Sequence, residues 1–372
     1  MLLLIRIQQW RQKFLKIEPR FAQLLENLHE QLKGNSLSFE LVSHSQHIYF
    51  YVHIPERLLE LIKGQIYALY PNAIIEEQKK DYTSEVESSG FIASQMKNKR
   101  SDLYPWKRFD EFEGDALAGL FSVLSKAGEG EQLWVQVVMS PRLDDYWFNV
   151  VRNWKHTLNF WGRRLRLRDR LKSKSQKDFF EQEKTAISTK AEERQYNVSV
   201  RVAVQTHNKQ MADRQLTALE QAYTQFNSID FNGFTSGRRF HGQNGLSLWK
   251  QRSLRGSSLM GINEIAGMYY FPDPQIVPHM VHVLARRSEP PINLPKSHQR
   301  DVVPFGMTNY HNQQLPFGIL REDRARHMYV VGKSGNGKSK FLELLISKDI
   351  QDGQGLCVMD PHGDLVDAVL KH

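Results

Sequence analysis

The stretch Gly332-Lys333-Ser334-Gly335-Asn336-Gly337-Lys338-Ser339 lies close to the C-terminal end of the 372-residue sequence. Its spacing, G-x-x-x-x-G-K-S, is typical of a loop that binds phosphate groups. Glycines let the backbone turn so that successive N–H groups point into one concavity, at the positive end of a helix dipole. We therefore predict that these eight residues bind a nucleotide, with Lys338 on the β- and γ-phosphates and Ser339 on Mg²⁺.

The segments on either side of the octad support a nucleotide site. Met328 to Val331 is an apolar run suited to a buried strand, and Lys340 to Ile346 has helical character. A second apolar run, Gly355 to Met359, ends at Asp360, and another helical segment follows. This βαβα order predicts the start of a parallel sheet with crossover helices. Because two strands cannot complete such a sheet, we expect the N-terminal fragment of a longer ATPase, unable to hydrolyse ATP by itself.

Asp360 is the candidate catalytic residue of this segment, and two interpretations of it remain open. An acid at the end of an apolar strand fits the carboxylate that holds Mg²⁺ in nucleotide-hydrolysing proteins. The same position also suits a residue that caps the following helix or lines the edge of the pocket, and we favour this second interpretation. The catalytic residues are therefore unknown from the sequence.

Composition is typical of a cytoplasmic globular protein. Hydrophobic residues make up 40% of the sequence, enough for two or three domains with cores of their own. The single cysteine, Cys357, lies on a predicted buried strand. One cysteine excludes an intrachain disulfide framework and is typical of a reducing compartment. No apolar stretch is long and uncharged enough to predict a membrane span.

The net charge of +9 is concentrated in two segments. The first carries Arg163, Arg164, Arg166, Arg168, Arg170, Lys172, Lys174 and Lys177, with Asp169 as its acid. The second, residues 231–260, has no acid and carries Arg238, Arg239, Lys250, Arg252 and Arg255. Focal basic charge is typical of a surface that contacts the phosphate backbone of nucleic acids. We predict DNA as a partner, contacted by Arg163, Arg164, Arg166, Arg168 and Arg170. The alternative is a solvated helix end or a protein-binding arm.

An amphipathic helix is predicted immediately before the first basic segment. Its apolar stripe follows helical spacing and consists of Trp147, Val151, Trp154, Leu158, Trp161 and Leu165. Such a stripe indicates a packing surface rather than a platform for stacked bases. Polar residues continue to about Gln195, so residues 143–195 are predicted to be a basic helical connector.

Two α+β modules are predicted, one on either side of the connector. Short strand patterns alternate with helical faces there, for example the strands Phe39 to Val42 and Tyr196 to Val204. We expect ferredoxin-like N-terminal modules followed by the start of a parallel sheet, so that the chain is an α/β and α+β multidomain protein. The predicted limits are an N-terminal helix over 1–35, a first module over 36–142, the connector over 143–195, a second module over 196–290 with a mobile basic loop at 233–258, and an incomplete nucleotide-binding domain over 291–372.

The last third of the chain resembles a known family. The segments Pro290 to Pro295, Gly306 to Tyr310 and Pro316 to Ile319 precede Asp323-Arg324-Ala325-Arg326-His327, which leads into the octad, and Asp360-Pro361-His362-Gly363-Asp364-Leu365 follows it. In this order they resemble the coupling-protein ATPases of type IV secretion and conjugation, within the FtsK/HerA superfamily of DNA-pumping motors. The resemblance covers residues 259–372 and is weaker over the α+β region.

The resemblance implies a RecA-like motor domain that binds ATP and Mg²⁺. It also implies a homo-oligomer, usually a hexameric ring, that threads DNA or passes substrate to a membrane-bound secretion machinery. Lys338 and Ser339 carry over as ligands of phosphate and Mg²⁺. In the family the Walker B acids lie on a later strand than the one ending at Asp360. Because no anchor is visible, attachment at the inner face of the membrane is expected to come through partners.

Two other classes of protein stay open. In the first, the chain binds a nucleotide without turning it over and acts as a regulatory protein. In the second, it is a nucleic-acid-binding accessory protein in which the first basic segment, from Arg163 to Lys177, binds the nucleic acid.

Overall fold

The computed structural model describes residues 1–7, 18–44, 47–143, 174–272, 290–291, 293–310 and 314–371, and for residues 174–180 the backbone alone. The chain divides into two compact units, Met1–Arg286 and Arg287–His372. Within the described ranges, no helix is both long and apolar enough to cross a membrane.

The apolar N-terminus is an inner strand of the first unit. Leu2–Arg6 forms β1, which pairs antiparallel with β3 (His47–His53) and β4 (Ile74–Gln78). The predicted helix over residues 1–35 is therefore wrong at residues 2–6. A row of Leu and Ile side chains fits a strand that has a hydrogen-bonded neighbour on each edge. The helix of this region, α1, spans Glu18–Gln31.

Residues 2–78 follow the element order βαββαβ. After α1 come β2 (Leu37–His44), β3, α2 (Leu59–Leu69) and β4. Their order in the sheet is β4-β1-β3-β2, and β2 pairs antiparallel with β3. Apolar residues at helical spacing hold both helices on one face of the sheet, namely Phe21, Leu24, Leu25 and Leu28 of α1 and Ile62 and Ile66 of α2.

The same element order recurs in residues 91–241. Its members are β5 (Phe91–Asn98), α3 (Ala118–Leu124), β6 (Gln132–Pro141), β7 (Gln195–Gln205), α5 (Lys209–Ala222) and β8 (Phe234–His241), with α4 (Lys174–Glu192) between β6 and β7. These strands lie in the order β6-β7-β5-β8. Because β2 and β6 pair antiparallel from Leu37↔Met139 to His44↔Gln132, both sets form one continuous sheet. A short strand, β9 (Ser258–Gly261), pairs with β7.

The antiparallel sheet and its helices confirm the α+β class predicted for the N-terminal part. Two successive βαββαβ sets are the element order of ferredoxin-like folds. The internal limits predicted from the sequence, at residues 35, 142, 195 and 290, stay predictions. The boundary between the two compact units falls between Arg286 and Arg287.

The main core of the first unit is rich in aromatic rings. Phe21 of α1 lies edge-on to Phe39 of β2, with ring centroids 5.1 Å apart, and Tyr269 lies 5.1 Å from Phe39. Tyr269 follows α7 (Ile262–Met268), so the residue after this helix packs against α1 and β2. Each fully buried side chain of this size contributes roughly 1.5–3 kcal/mol to stability.

The predicted mobile loop over residues 233–258 is wrong, because most of this stretch forms regular elements, one of which packs on the opposite face of the sheet. β8 ends at His241 and α6 (Gly242–Lys250) follows directly, so most of this stretch is regular structure. Trp249 of α6 is fully buried, and its ring lies 5.4 Å from that of Trp134 in β6. The Gly and Ser content favoured a loop, but Leu246 and Trp249 lie three residues apart on one helix face and hold the helix on the sheet.

The second unit contains, among its described residues, a hairpin and three helices. Strand β10 (Val302–Met307) pairs antiparallel with β11 (Pro316–Leu320). The helices are α8 (Arg321–Arg324), α9 (Lys338–Gln351) and α10 (Asp364–Val369).

No parallel sheet is present in the described residues of this unit. The segments Met328 to Val331 and Gly355 to Met359 are not strands, and Tyr329 and Met359 are 91% and 92% exposed. A strand is stable only where its N–H and C=O groups pair with a neighbour, and no described strand pairs with either segment. For the same reason Cys357, predicted on a buried strand, is exposed.

Candidate nucleotide-binding loop

The octad from Gly332 to Ser339 forms an exposed turn that leads directly into helix α9. The helix begins at Lys338, with Gly337 as its N-cap. Gly335 has a φ of 84° and Gly337 a φ of 82°, both in the left-handed region that side chains disfavour. The shape of the backbone therefore accounts for glycine at these two positions.

The turn presents backbone N–H groups at the start of α9. The amide of Phe341 donates to the Gly337 carbonyl at 2.9 Å, and the amides of Lys338, Ser339 and Lys340 precede this helical bond. Gly337 has no side chain with which to cap them. Together with the positive end of the dipole of a 14-residue helix, these N–H groups suit an anion such as phosphate.

Lys338 folds back over the turn that it follows. Its Nζ donates to the Lys333 carbonyl oxygen at 2.9 Å, and the Asn336 amide donates to the same oxygen at 3.2 Å. Ser339, the next residue, is exposed. The structure thus brings the predicted residues into one turn with donors for phosphate and a hydroxyl for Mg²⁺, and the ligand of each residue stays a prediction.

Aromatic contacts hold the first turn of α9 on the β10–β11 hairpin. The ring of Phe341 meets that of Phe305 in β10 edge-on, with centroids 5.4 Å apart. Phe305 lies 5.3 Å from Phe317 of β11. The start of the helix is therefore tied to both strands of the hairpin.

Two arginines of α8 bind the last turn of α9, and our sequence analysis missed them. Arg324 donates from Nη1 and Nη2 to the two carboxylate oxygens of Asp349, at 2.5 and 2.6 Å. Arg321 donates to Asp352, whose carboxylate also lies 3.0 Å from Lys348. The signal was present in the sequence, because the two arginines are three residues apart and so are the two aspartates, which is the spacing of one helix face.

Asp360 uses its carboxylate to hold the start of helix α10. Its Oδ1 accepts a hydrogen bond from the His362 amide at 3.1 Å, and its Oδ2 accepts one from the Leu365 amide at 2.8 Å. These backbone hydrogen bonds lower the pKa of Asp360. The arrangement is that of a capping residue. A catalytic role for Asp360 stays a prediction.

The residues predicted to contact DNA lie outside the described part of the chain, as does the apolar stripe that precedes them. These are Arg163, Arg164, Arg166, Arg168 and Arg170, and the stripe from Trp147 to Leu165. Their role therefore stays a prediction.

The second basic segment is less cationic at the surface than its sequence predicts. Arg239 bonds to Glu220 at 2.6 Å and lies 3.4 Å from Asp213. Arg252 is buried and forms an ion pair with Glu40. Two of the basic residues in this segment thus stabilise the fold.

A cavity of about 200 Å³ lies in the first unit, beside α4 and residues 105–111. On its wall the Lys190 ammonium lies 3.2 Å from Glu264 and 4.4 Å from the ring of Trp106. Burial lowers the pKa of Lys190 and raises that of Glu264. Glu264 also accepts from the backbone amides of Trp106 and Gly261, so this pair fastens three segments together.

A protein metal site is not apparent in the parts of the chain that the structure describes. Within them, no group of three or more His, Cys, Asp or Glu side chains is arranged to hold a metal ion.

The second unit thus combines a β-hairpin with a glycine turn at the start of a helix. A family model described as helicase HerA, central domain, matches residues 306–369, and this part is related to the HerA/FtsK-like ATPases. Residues 11–277 match the family model described as a domain of unknown function (DUF8128), and the chain belongs to that family.

No curated protein matches the chain. Among solved structures, the crystal structure of a putative chlorite dismutase matches 66% of this chain and 97% of that chain, with 8% sequence identity and a TM-score of 0.16. So poor a superposition supports no statement about fold or function.

Proposed function

We propose that the chain is part of a DNA-translocating ATPase of the HerA/FtsK type and supplies its phosphate-binding loop. The observation that carries this proposal is the turn at Gly335 and Gly337, which opens onto the first amides of α9 with the Lys338 ammonium folded over it. The match to the central domain of helicase HerA over residues 306–369 supports the same function. ATP and Mg²⁺ are the proposed ligands.

In this proposal each residue of the turn has a stated role. The amides of the turn and the Lys338 ammonium bind the β- and γ-phosphates, and the Ser339 hydroxyl ligates Mg²⁺. Lys338 exchanges its bond to the Lys333 carbonyl for phosphate oxygens, which are stronger acceptors because they are charged. Bound Mg²⁺ neutralises charge on the phosphates.

Two lysines in the same helical turn provide the test. Lys338→Ala removes the proposed phosphate ligand, whereas Lys340→Ala removes an equal charge whose partner is Glu343, at 2.7 Å. We expect Lys338→Ala to weaken binding of a fluorescent ATP analogue with Mg²⁺ by about a hundredfold, and Lys340→Ala to change it less than about twofold. Equal affinities in wild type and Lys338→Ala would refute the loop assignment.

The finer assignment is a coupling ATPase of type IV secretion or conjugation. We propose it as a hexameric ring that handles DNA at the cytoplasmic face of the membrane, attached there through partners of a secretion machinery. The resemblance of the Arg-His segment before the octad and of the Asp360-Pro361-His362-Gly363-Asp364 turn supports it. The mass of the particle with Mg-ATP and duplex DNA tests the ring. A chain that remains monomeric under these conditions contradicts it.

The geometry of Asp360 favours a second candidate, a nucleotide-binding or nucleic-acid-binding accessory protein without hydrolysis. Both oxygens of this carboxylate accept backbone hydrogen bonds, which leaves it less available to a metal. Release of inorganic phosphate from Mg-ATP, measured with and without DNA, distinguishes the motor from the accessory protein. Tight ATP binding with no phosphate release favours the accessory protein, and DNA-stimulated release that Lys338→Ala abolishes favours the motor.

A further inference from the structure

We propose that the ion pair between Arg324 and Asp349 positions the phosphate-binding turn, so that these two are positioning residues of the nucleotide site. This inference rests on the proposed function of the turn as a nucleotide site. It adds a determinant of affinity that lies at the far end of helix α9 from Lys338.

The pair is built to hold one geometry. Arg324 uses both terminal nitrogens on the two oxygens of one carboxylate, at 2.5 and 2.6 Å. A planar guanidinium with two parallel hydrogen bonds fixes direction as well as distance, which a lysine cannot do. The hydrogen bond to Asp349 also raises the pKa of Arg324, so the guanidinium stays charged.

Burial makes the pair costly to break. Asp349 is 7% exposed, so without Arg324 its carboxylate is left in a poorly hydrated place. Arg321 lies 3.7 Å from the same carboxylate and donates to Asp352, which joins a second arginine of α8 to the same turn of α9. Helix α8 is therefore clamped to the end of α9 through two adjacent carboxylates.

The two ends of α9 are held by one continuous element. Strand β11 ends at Leu320 and α8 begins at Arg321, so the strand leads directly into the clamp. At the other end, Phe305 of the paired strand β10 contacts Phe341, two residues after Ser339. The hairpin and α8 thus fix α9 at its first and last turns.

A helix held in this way carries a change at one end to the other. Asp349 lies eleven residues after Lys338, a distance of roughly 16 Å at 1.5 Å per residue. When the clamp opens, α9 keeps its packing against β10 and α10 but loses the ion pairs of its last turn, so the helix can tilt on the contacts that remain. Shifts on the scale of an ångström at a phosphate site reduce activity by up to about a hundredfold. Loss of the clamp therefore weakens nucleotide binding without touching the nucleotide.

The test compares variants of two nearby arginines, Arg324 in α8 and Arg326 just after it. Arg324→Gln removes the bidentate pair, and Arg324→Lys keeps the positive charge alone. Arg326→Gln is the matched control, because the Arg326 side chain is 83% exposed and forms its ion pair with Asp323, at 3.6 Å. With a fluorescent ATP analogue and Mg²⁺, we expect Arg324→Gln to bind about tenfold more weakly, Arg324→Lys to fall between it and wild type, and Arg326→Gln to match wild type. Equal affinity in Arg324→Gln and Arg326→Gln overturns the inference.

Hydrogen exchange supplies a readout that needs no nucleotide. We expect the amides of residues 334–341 to exchange faster in Arg324→Gln than in Arg326→Gln, while the amides of the β10–β11 hairpin keep their rates. Unchanged exchange at 334–341 overturns the inference even where affinity falls. Should wild type itself bind no nucleotide, the proposed function fails, whereas the exchange comparison still decides whether the clamp orders the turn.

A double variant that exchanges the two charges, Arg324→Asp with Asp349→Arg, separates loss of the ion pair from general unfolding. We expect the double variant to recover at least part of the affinity and of the exchange protection that Arg324→Asp alone loses, because the pair is re-formed in reverse. A double variant as impaired as the sum of its two single changes overturns the pairing.

Discussion

Arg252 and Glu40 form a bidentate ion pair inside the first unit, although 212 positions separate them in the sequence. Arg252 donates from Nε to Oε1 at 2.7 Å and from Nη2 to Oε2 at 3.2 Å. Glu40 is fully buried on β2 and also accepts from the Tyr82 hydroxyl at 2.6 Å. The pair fastens the segment after α6 to the centre of the sheet.

Loss of this arginine should destabilise the first unit strongly. Arg252→Met leaves the Glu40 carboxylate buried without its cation, which costs about 3–5 kcal/mol. Arg238→Met, the same change at an exposed position in β8, should cost less than about 0.5 kcal/mol. Urea unfolding followed by circular dichroism measures both. If the two variants unfold at the same urea concentration, the buried pair does not stabilise the fold.

The stability of the first unit should decrease in mild acid because of His53. Burial, and after it the positive charge of Arg252, lowers the pKa of His53 to about 4. The unfolded chain, with an ordinary histidine pKa near 6.5, binds more protons between these values than the folded chain does. The free energy of unfolding therefore falls as the pH decreases from about 6.5 to about 4.

The measurement for His53 is the pH dependence of unfolding in three chains. We expect His53→Gln to lose less stability than wild type between pH 7 and pH 4. His44→Gln, a change at an exposed histidine of the neighbouring strand, should follow the wild-type curve. Parallel curves for wild type and His53→Gln would show that the His53 imidazole does not cause the loss of stability in acid.

The glycine turn should tolerate a methyl group poorly at Gly337. A Cβ there meets no atom within 4 Å, so the cost is conformational, at a φ of 82°. We expect Gly337→Ala to lose about 1 kcal/mol of stability and to bind ATP more weakly, since the turn must relax away from its left-handed geometry. Gly355→Ala is the control, because its Cβ also meets nothing and its φ is not left-handed. Thermal unfolding and ATP titration measure the stability and the ATP affinity of both variants. Equal values for Gly337→Ala and Gly355→Ala would contradict the left-handed geometry of Gly337.

Neutralising the first basic segment should reduce the salt dependence of DNA binding. In a variant with glutamine at Arg163, Arg164, Arg166, Arg168 and Arg170, each lost phosphate contact lowers the slope of log K against log salt by about 0.9. The control replaces Lys79 and Lys80, which are exposed and lie outside both basic segments, with glutamine. Fluorescence anisotropy with a labelled duplex at several salt concentrations measures the slopes. A slope equal to that of wild type would remove these arginines from the DNA interface.

Local patterns in the sequence predicted the elements that depend on neighbours in the chain. The octad from Gly332 to Ser339 sets its own turn, because glycine spacing and a following helix are local requirements. Strands β2 and β7, predicted at Phe39 to Val42 and Tyr196 to Val204, follow in the same way from local strand patterns. The candidate site was therefore readable before the fold was known.

Only the tertiary structure decided which segments find partners far away in the sequence. Leu2–Arg6 is a strand because β3 and β4 flank it, whereas Met328 to Val331, equally apolar, has no described strand beside it. The pairing of Arg324 with Asp349 and of Arg252 with Glu40 likewise depends on elements brought together by folding. Spacing in the chain can place residues on one face of an element, but it does not say which distant strand or ion-pair partner that face meets. Local patterns therefore predicted the turn of the site but not the contacts that hold it in place.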